Sequence, residues 1–279
     1  MADDSPHDRK LPPEILEHYA AVNEAGRLAT DSGPIEYERT KQIVERYLPP
    51  PPAIVLDVGG ATGVYSCWLA AKGYETHLVD PVAKHVEEAE RASSLLEPRL
   101  ASARLGEARA LPWPDGFADA VLLLGPLYHI TERSGRIAAL RESARVLRSG
   151  GWLFAAAISR FASLLDGLRR EMLSRPEFAD MVERDLADGQ HRNETGRPEY
   201  FTTAYFHRPE ELIAELSDAS LRHEATFGLE GPAWLLADID ARCSDAVRRA
   251  ELLGAVERIE REPSLLGASA HFLAVARKP

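Results

Sequence analysis

A short apolar run in the first quarter of the chain ends in a cluster of glycines. It reads Val55-Leu56-Asp57-Val58-Gly59-Gly60-Ala61-Thr62-Gly63. Apolar, β-branched residues closed by glycines are typical of a buried strand, and residues 64–72 have helical composition. The stretch therefore predicts a strand, a tight turn and a helix.

The same alternation continues downstream. Residues 75–80 predict a second strand that ends on Asp80, and residues 83–94 predict the helix after it. Continuous apolar strands that alternate with helices imply a parallel sheet covered on both faces. We therefore predict an α/β fold with a Rossmann-like, seven-stranded, mostly parallel sheet. The other five strands are expected at residues 103–105, 119–124, 152–158, 224–229 and 271–276.

The segments outside this alternation are expected to cover the sheet. We predict a single domain over residues 13–279, preceded by a disordered polar tail at residues 1–12. Long helices are expected at residues 162–188 and 233–260, and two helices between residues 13 and 47. The parts of the domain are an N-terminal helical cap (13–48), a cofactor-binding core (53–158), a lid insertion of helix and loop (160–206) and a C-terminal part of the sheet (207–279).

Composition narrows the class of protein. The 279 residues carry a net charge of −11, and their 33 Lys and Arg residues form no basic stripe, which disfavours a nucleic-acid substrate. The two cysteines form no CxxC pair and no histidines cluster, so no metal site is expected. The sequence begins without a signal-peptide pattern and has no long apolar run. A cytoplasmic protein without membrane contact is expected.

The chemistry of the glycine turn favours a particular kind of ligand. Doubly wound sheets bind ligands outside the carboxyl ends of their strands, where this turn lies. A nicotinamide-binding turn reads G-x-G-x-x-G and offers backbone N–H groups to a pyrophosphate. Here Asp57 precedes the glycines and would repel a pyrophosphate but attract a cation, and Asp80 lies where an acid bonds ribose hydroxyls. An NAD-dependent oxidoreductase is the less favoured alternative.

The turn resembles motif I of the class I S-adenosyl-L-methionine (SAM)-dependent methyltransferases, D/E-x-G-x-G-x-G. Ala61 replaces the middle glycine of that motif. The resemblance covers residues 53–158 well, and the rest of the chain only in its order of elements. It extends to Asp80-Pro81, Gly106-Glu107-Ala108-Arg109-Ala110-Leu111-Pro112, residues 119–129 and Leu147-Arg148-Ser149-Gly150-Gly151.

The resemblance implies SAM as the cofactor and S-adenosyl-L-homocysteine as its product. It implies that the glycines line the methionine part, that Asp57 holds the amino group and that Asp80 holds the ribose. Glu107 and Ala108 would lie at the adenine edge with Pro81 against the ring. The Leu124 carbonyl would contact the ammonium group, and Arg27 the methionine carboxylate. The implied cofactor residues are Asp57, Gly59, Gly60, Gly63, Asp80, Pro81, Glu107, Ala108, Leu124 and Arg27.

By the same resemblance, the chain transfers a methyl group by an SN2 step to O, N or C of a small organic acceptor of specialised metabolism. Tyr128 and His129 follow the fourth strand, where catalytic residues of this family lie, and His129 is a candidate general base. The alternative is that His129 only caps the helix after it. Acceptor contacts are expected from Tyr19, Tyr128, Tyr205 and Trp234, with plain packing as the alternative role. A monomer or homodimer is expected, and a non-catalytic SAM-binding protein of the same fold is the other alternative.

Overall fold

The computed structural model describes residues 12–21 and 24–279. The tail expected at residues 1–12 thus lies outside the described residues except for Pro12. Nine strands are described: β1 (Ile54–Val58), β2 (Glu75–Asp80), β3 (Ser102–Leu105), β4 (Ala118–Leu123), β5 (Leu147–Ile158), β6 (Gln190–His191), β7 (Ala204–Tyr205), β8 (Arg222–Gly228) and β9 (His271–Arg277).

The α-helices of the described ranges lie between and before these strands. They are α1 (Pro13–Ala21), α2 (Glu24–Arg27), α3 (Gly33–Tyr47), α4 (Val64–Ala71), α5 (Ala83–Ser94), α6 (Pro126–His129), α7 (Arg133–Val146), α8 (Ala162–Arg169), α9 (Pro176–Asp188), α10 (Pro209–Asp218), α11 (Ile239–Ser244) and α12 (Ala246–Ile259).

Seven strands form one sheet in the order β3-β2-β1-β4-β5-β9-β8. Strand β9 runs antiparallel to both β5 and β8, and the other neighbouring pairs are parallel. The prediction of a seven-stranded, mostly parallel sheet is confirmed. The two-residue strands β6 and β7 pair separately as an antiparallel hairpin within the expected lid.

The central strands are mainly apolar because helices cover both faces of the sheet. Leu56 of β1 packs in one buried cluster with Leu140 of α7. Its neighbour Val55 points to the opposite face and packs with Ile43 of α3 and Leu69 of α4. Alternate residues of one strand thus reach two separate cores, as expected for a sheet between two helical layers.

Two of the expected helices are divided in the structure. Between residues 13 and 47 the described ranges contain the helical stretches α1, α2 and α3, and residues 22 and 23 lie outside those ranges. The helix expected over 162–188 is split into α8 and α9, because Pro176 occupies the first turn of α9, where a missing N–H costs nothing. The helix expected over 233–260 is split at Asp245, whose carboxylate accepts a hydrogen bond from the Arg248 N–H and starts α12.

Candidate cofactor and acceptor site

The glycine turn joins β1 to α4 at the edge where the parallel strands end. Gly59 and Gly63 have φ angles of +69° and +81°, in the left-handed region that favours glycine. A Cβ atom on Gly59 would lie 2.5 Å from Cγ of Pro126, and one on Gly60 would lie 2.7 Å from the carboxylate of Asp57. Ala61 also has a positive φ, +46°, at a cost of about 1 kcal/mol or more. This residue thus keeps the backbone shape of the glycine that it replaces.

Asp80 at the end of β2 ties two turns together. One carboxylate oxygen accepts a hydrogen bond from the Ala61 N–H at 2.9 Å. The other accepts from the Val82 N–H at 2.9 Å and from Nδ1 of His85 at 3.2 Å. A carboxylate has about four lone-pair positions, and three are used within the chain. Asp80 therefore shapes the cofactor turn, and one further hydrogen bond is left for a ribose hydroxyl.

Asp57 is buried beneath the turn. The Ser66 hydroxyl donates a 2.5 Å hydrogen bond to its Oδ2. Burial raises the pKa of Asp57 to about 6, and repulsion from Asp80 adds to this effect, while the bonds from Ser66 oppose it. A bound cation would favour the charged form of the carboxylate. Asp57 should therefore lose its proton more readily when a positively charged ligand binds nearby.

Glu107 has one oxygen that lacks a partner. Its Oε2 accepts hydrogen bonds from the backbone N–H and from Nε of Arg109, at 3.1 and 2.8 Å. Its Oε1 is buried and has no hydrogen-bond partner among the described residues. Such an atom is costly unless a ligand donates to it, and the exocyclic amine of adenine is a suitable donor. The residues present therefore fit SAM at this end of the site.

One cavity, here called the cofactor cavity, connects these groups. Every residue predicted to bind the cofactor lines it except Gly63, whose Cα hydrogen side faces Ala89 of α5. Tyr65, Val82 and His85 also line it, and sequence reasoning missed them because no motif marks them. The acids at the strand ends, the glycine turn and Glu107 are thus brought together as expected. Their individual contacts with the cofactor stay predictions.

Arg27 of α2 lines the cofactor cavity but already has a partner. Its guanidinium donates two hydrogen bonds to the Glu36 carboxylate, at 2.7 and 3.0 Å. Burial would raise the pKa of Glu36, but the charges of Arg27 and His271 outweigh it and lower the pKa to about 2. A contact between Arg27 and the methionine carboxylate would therefore compete with an existing ion pair.

His129 lies in the wall of the cofactor cavity. Its Nδ1 faces the carbonyl of Thr203 at 3.4 Å, so Nδ1 carries the hydrogen, and Nε2 accepts a 2.6 Å hydrogen bond from the Tyr19 hydroxyl. Burial lowers the pKa of His129 to about 4. The imidazole is neutral at neutral pH, and its basic nitrogen is occupied. This environment argues against the predicted general-base role, which stays untested.

A second cavity of about 500 Å³ adjoins the first, and we call it the acceptor cavity. Tyr19, Arg27 and Tyr128 line both cavities. The wall of the acceptor cavity is rich in aromatic rings. One of them is Trp234, a residue expected there, whose indole N–H donates a hydrogen bond to the Ala268 carbonyl at 2.9 Å. Other rings come from Phe178, Tyr200, Phe201 and Phe206.

Tyr205 does not lie where the sequence predicted. It lines neither cavity, and the guanidinium of Arg136 stacks on its ring at 3.6 Å. Its hydroxyl donates a hydrogen bond to Glu211 at 3.3 Å and accepts one from Arg160 at 3.2 Å. Tyr205 thus packs outside both cavities in this structure, and its expected contact with the acceptor stays a prediction.

Sequence reasoning missed two residues at the acceptor cavity. His271 lines the cavity, and Glu230 is hydrogen-bonded to His271. Because β9 is antiparallel, its first residue, His271, lies at the edge where the parallel strands end. Together with Glu36, these two residues form the one group in the described ranges whose spacing could hold a metal ion. Arg27 already neutralises Glu36 there.

No helix in the described part of the chain is long and apolar enough to cross a bilayer.

Comparison with known proteins finds a methyltransferase domain in the chain. Residues 56–155 match the family model of the methyltransferase domain. A ubiquinone/menaquinone biosynthesis C-methyltransferase of Chromobacterium violaceum is 35% identical over 109 residues, which are 38% of this chain and 43% of that protein. The match thus spans less than half of that relative.

Solved structures share the fold over most of the chain. A SAM-dependent methyltransferase of Methanosarcina mazei is 18% identical, with a TM-score of 0.59 over 85% of this chain and 96% of that one. A SAM-dependent methyltransferase of Thermotoga maritima, described as a possible histamine N-methyltransferase, is 19% identical, with a TM-score of 0.59 over 95% of this chain and 100% of that one. The matched domain and the shared fold confirm the predictions of a class I SAM-dependent methyltransferase, of the enzyme class and of SAM as the cofactor.

Proposed function

We propose that this chain transfers the methyl group of SAM to a small organic acceptor bound in the acceptor cavity. The observation that carries the proposal is the position of the two cavities. They adjoin, and Tyr19, Arg27 and Tyr128 line both. A ligand in one cavity can therefore meet a ligand in the other without passing through solvent.

The size and lining of the acceptor cavity support a small, largely apolar acceptor. Pockets for small molecules have volumes of about 300–1,000 Å³, and this cavity of about 500 Å³ falls within that range. Its rings would contact a planar or apolar body, while Asp166, Glu199 and His271 offer polar contacts. The relatives differ in the atom that their names imply, carbon in one and nitrogen in the other. The proposed acceptor atom is O, N or C.

The chain's own contribution to the reaction is alignment and exclusion of water. SAM, when bound, supplies the electrophilic methyl group. The walls of the acceptor cavity hold the nucleophilic atom in line with the bond between sulfur and the methyl carbon. With SAM held in the cofactor cavity, an electron pair of the acceptor would displace S-adenosyl-L-homocysteine, and a proton on the attacking atom would leave to water or to a side chain of the cavity.

We also propose a domain arrangement and a cellular setting for the chain. Segments 13–48 and 160–206 cap one domain, and their residues Tyr19 and Phe201 face the acceptor. We place the protein in the cytoplasm as a monomer or homodimer that acts on specialised metabolites, with no nucleic-acid or membrane partner. The acidic composition and the lack of a basic stripe support the absence of a nucleic-acid partner.

The test is a search for a methylated product. The protein is incubated with SAM and a metabolite extract, and mass spectrometry is used to find a product heavier by CH₂ together with S-adenosyl-L-homocysteine. The variant Ala162→Phe fills part of the acceptor cavity, and Ala250→Phe, exposed on α12, is its matched control. We expect Ala162→Phe to lose product formation and keep SAM affinity, and Ala250→Phe to change neither.

Two results would contradict the proposal. Binding of NAD in preference to labelled SAM would favour an oxidoreductase. Tight SAM binding with no S-adenosyl-L-homocysteine from any acceptor pool would favour a non-catalytic binding protein of the same fold.

A further inference from the structure

His271 at the start of β9 combines a fixed orientation with access to the acceptor cavity. Its Nδ1 lies 2.7 Å from Oε1 of Glu230, so Nδ1 carries the hydrogen and donates it. The side chain is 24% exposed and the residue lines the acceptor cavity. Its Nε2 makes no hydrogen bond to any residue in the described ranges. The nitrogen that can accept a proton is therefore the one left for a ligand.

Glu230 is held rigidly behind the imidazole. It is completely buried, and its Oε2 accepts hydrogen bonds from the Ser269 hydroxyl at 2.8 Å and from the His271 N–H at 2.9 Å. The Ser269 oxygen in turn accepts from the backbone N–H groups of Glu230 and Gly231, both at 3.0 Å. A carboxylate fixed in this way orients the ring and stabilises its protonated form.

The charges around His271 make it a stronger base than an ordinary histidine. Burial would lower its pKa, but the carboxylates of Glu36 and Glu230 outweigh burial and the repulsion from Arg27, and the pKa of His271 is raised. Glu36 faces the ring from α3, with its Oε2 3.8 Å from Nδ1. His129 differs on both counts, because its Nε2 is occupied and its pKa is lowered.

We propose that His271, oriented by Glu230, takes the proton of an aromatic hydroxyl in the acceptor cavity, so that this enzyme methylates the oxygen of a phenol. The inference rests on the proposed function and deepens it by naming the acceptor class and the base. The aromatic wall, with Phe201 and Trp234, suits an aromatic ring. A phenolic hydroxyl has a pKa of about 10, within reach of a histidine base, whereas a neutral amine needs no base to attack.

The hydroxyl proton moves to Nε2 of His271, and a lone pair of the phenol oxygen forms the bond to the methyl carbon. The bond between sulfur and that carbon breaks, with its electron pair left on sulfur. The products are an aryl methyl ether and S-adenosyl-L-homocysteine, and the proton on His271 is released to water after the reaction.

The experiment uses 4-nitrophenol as an acceptor-site probe, because its phenolate absorbs visible light and its neutral form does not. The full-length protein is titrated with the probe about one pH unit below the pKa of the free phenol. We expect wild type to bind the probe as phenolate and His271→Gln to bind it neutral. His223→Gln is the matched control, since His223 lies on β8, lines neither cavity and bonds to Thr226. Equal phenolate absorbance in wild type and His271→Gln, or no binding of the probe to wild type, would overturn the inference.

A second measurement uses the methylated product identified with the extract. In His271→Gln the turnover should fall about 100-fold or more, with SAM affinity unchanged by calorimetry. In Glu230→Gln, where only the positioning residue changes, the rise of kcat/KM with pH should move to lower pH, because the carboxylate that raises the pKa of His271 is gone. A product methylated on N or C, made at an undiminished rate by His271→Gln, would leave the proposed function intact and refute this inference. Phenolate binding without any methylated product would support His271 as the proton acceptor and would contradict the proposed methyl transfer.

Discussion

Replacing the buried histidine of the cofactor cavity should change how stability depends on pH. The pKa of His129 is lowered from 6.5 to about 4 in the folded chain. Between these values the unfolded chain binds a proton that the folded chain does not, so the free energy of unfolding falls as the pH falls. The difference of about 2.5 units, at about 1.36 kcal/mol per unit, amounts to about 3 kcal/mol. This loss should be absent in His129→Gln.

Asp57 acts in the opposite direction over nearly the same pH range. Its pKa is raised from 3.8 to about 6, so its protonated form stabilises the fold below about pH 4. That contribution, about 3 kcal/mol, is lost as the pH rises through 6. The two effects nearly cancel in wild type. A flat curve of unfolding free energy against pH for wild type alone would therefore not reveal the charge state of His129.

The assay is urea unfolding of wild type and His129→Gln between about pH 7.5 and about pH 4.5. The free energy of unfolding of wild type should fall relative to the variant by about 3 kcal/mol as the pH falls. Tyr19→Phe is the control, because it removes the hydroxyl that bonds to His129 while the imidazole remains. It should lower stability by about 1 kcal/mol and keep most of the pH dependence. Parallel curves for wild type and His129→Gln would refute the buried, neutral state of this ring.

Three further predictions concern the cofactor turn. Gly60→Ala would place a Cβ atom 2.7 Å from Asp57 and should destabilise the fold by about 1–3 kcal/mol. The control Gly254→Ala lies on α12 with open space around it and should stabilise the fold by about 0.5–1 kcal/mol. Equal shifts of the two variants in thermal unfolding would contradict this prediction. Asp80→Asn should weaken SAM binding at least about 10-fold by calorimetry, because a carboxamide has one oxygen to accept from the Ala61 and Val82 N–H groups, and unchanged affinity would show that these bonds do not matter. SAM affinity should rise up to about tenfold per pH unit below pH 6 as Asp57 ionises, and this slope should vanish in Asp57→Asn.

The sequence predicts features that depend on neighbouring residues along the chain. Strand β1, its turn and Asp80 were predictable because burial on both faces and a tight turn each leave a local pattern. The start of α9 was also marked locally by Pro176, and the expected single helix overlooked that signal.

Other features depend on contacts between distant parts of the chain. Tyr205 packs against Arg136, and the state of His129 depends on Tyr19, which lies more than a hundred residues away. The position of His271 in the site follows only from the antiparallel direction of β9, which no local pattern reveals. Long-range pairing and burial therefore decided the parts of the site that sequence reasoning missed.

The place of β9 between β5 and β8 has a consequence for how the protein is made. Strand β8 leaves the ribosome before β9, but among the described strands β9 is its one neighbour in the sheet. Until residues 271–277 emerge, the free edge of β5 and the apolar face of β8 have no partner, and unpaired strand edges attract chaperones or other chains. The acceptor half of the site is therefore the last part of the sheet to assemble during synthesis, and slow translation of this region would lengthen the period in which the nascent chain can aggregate.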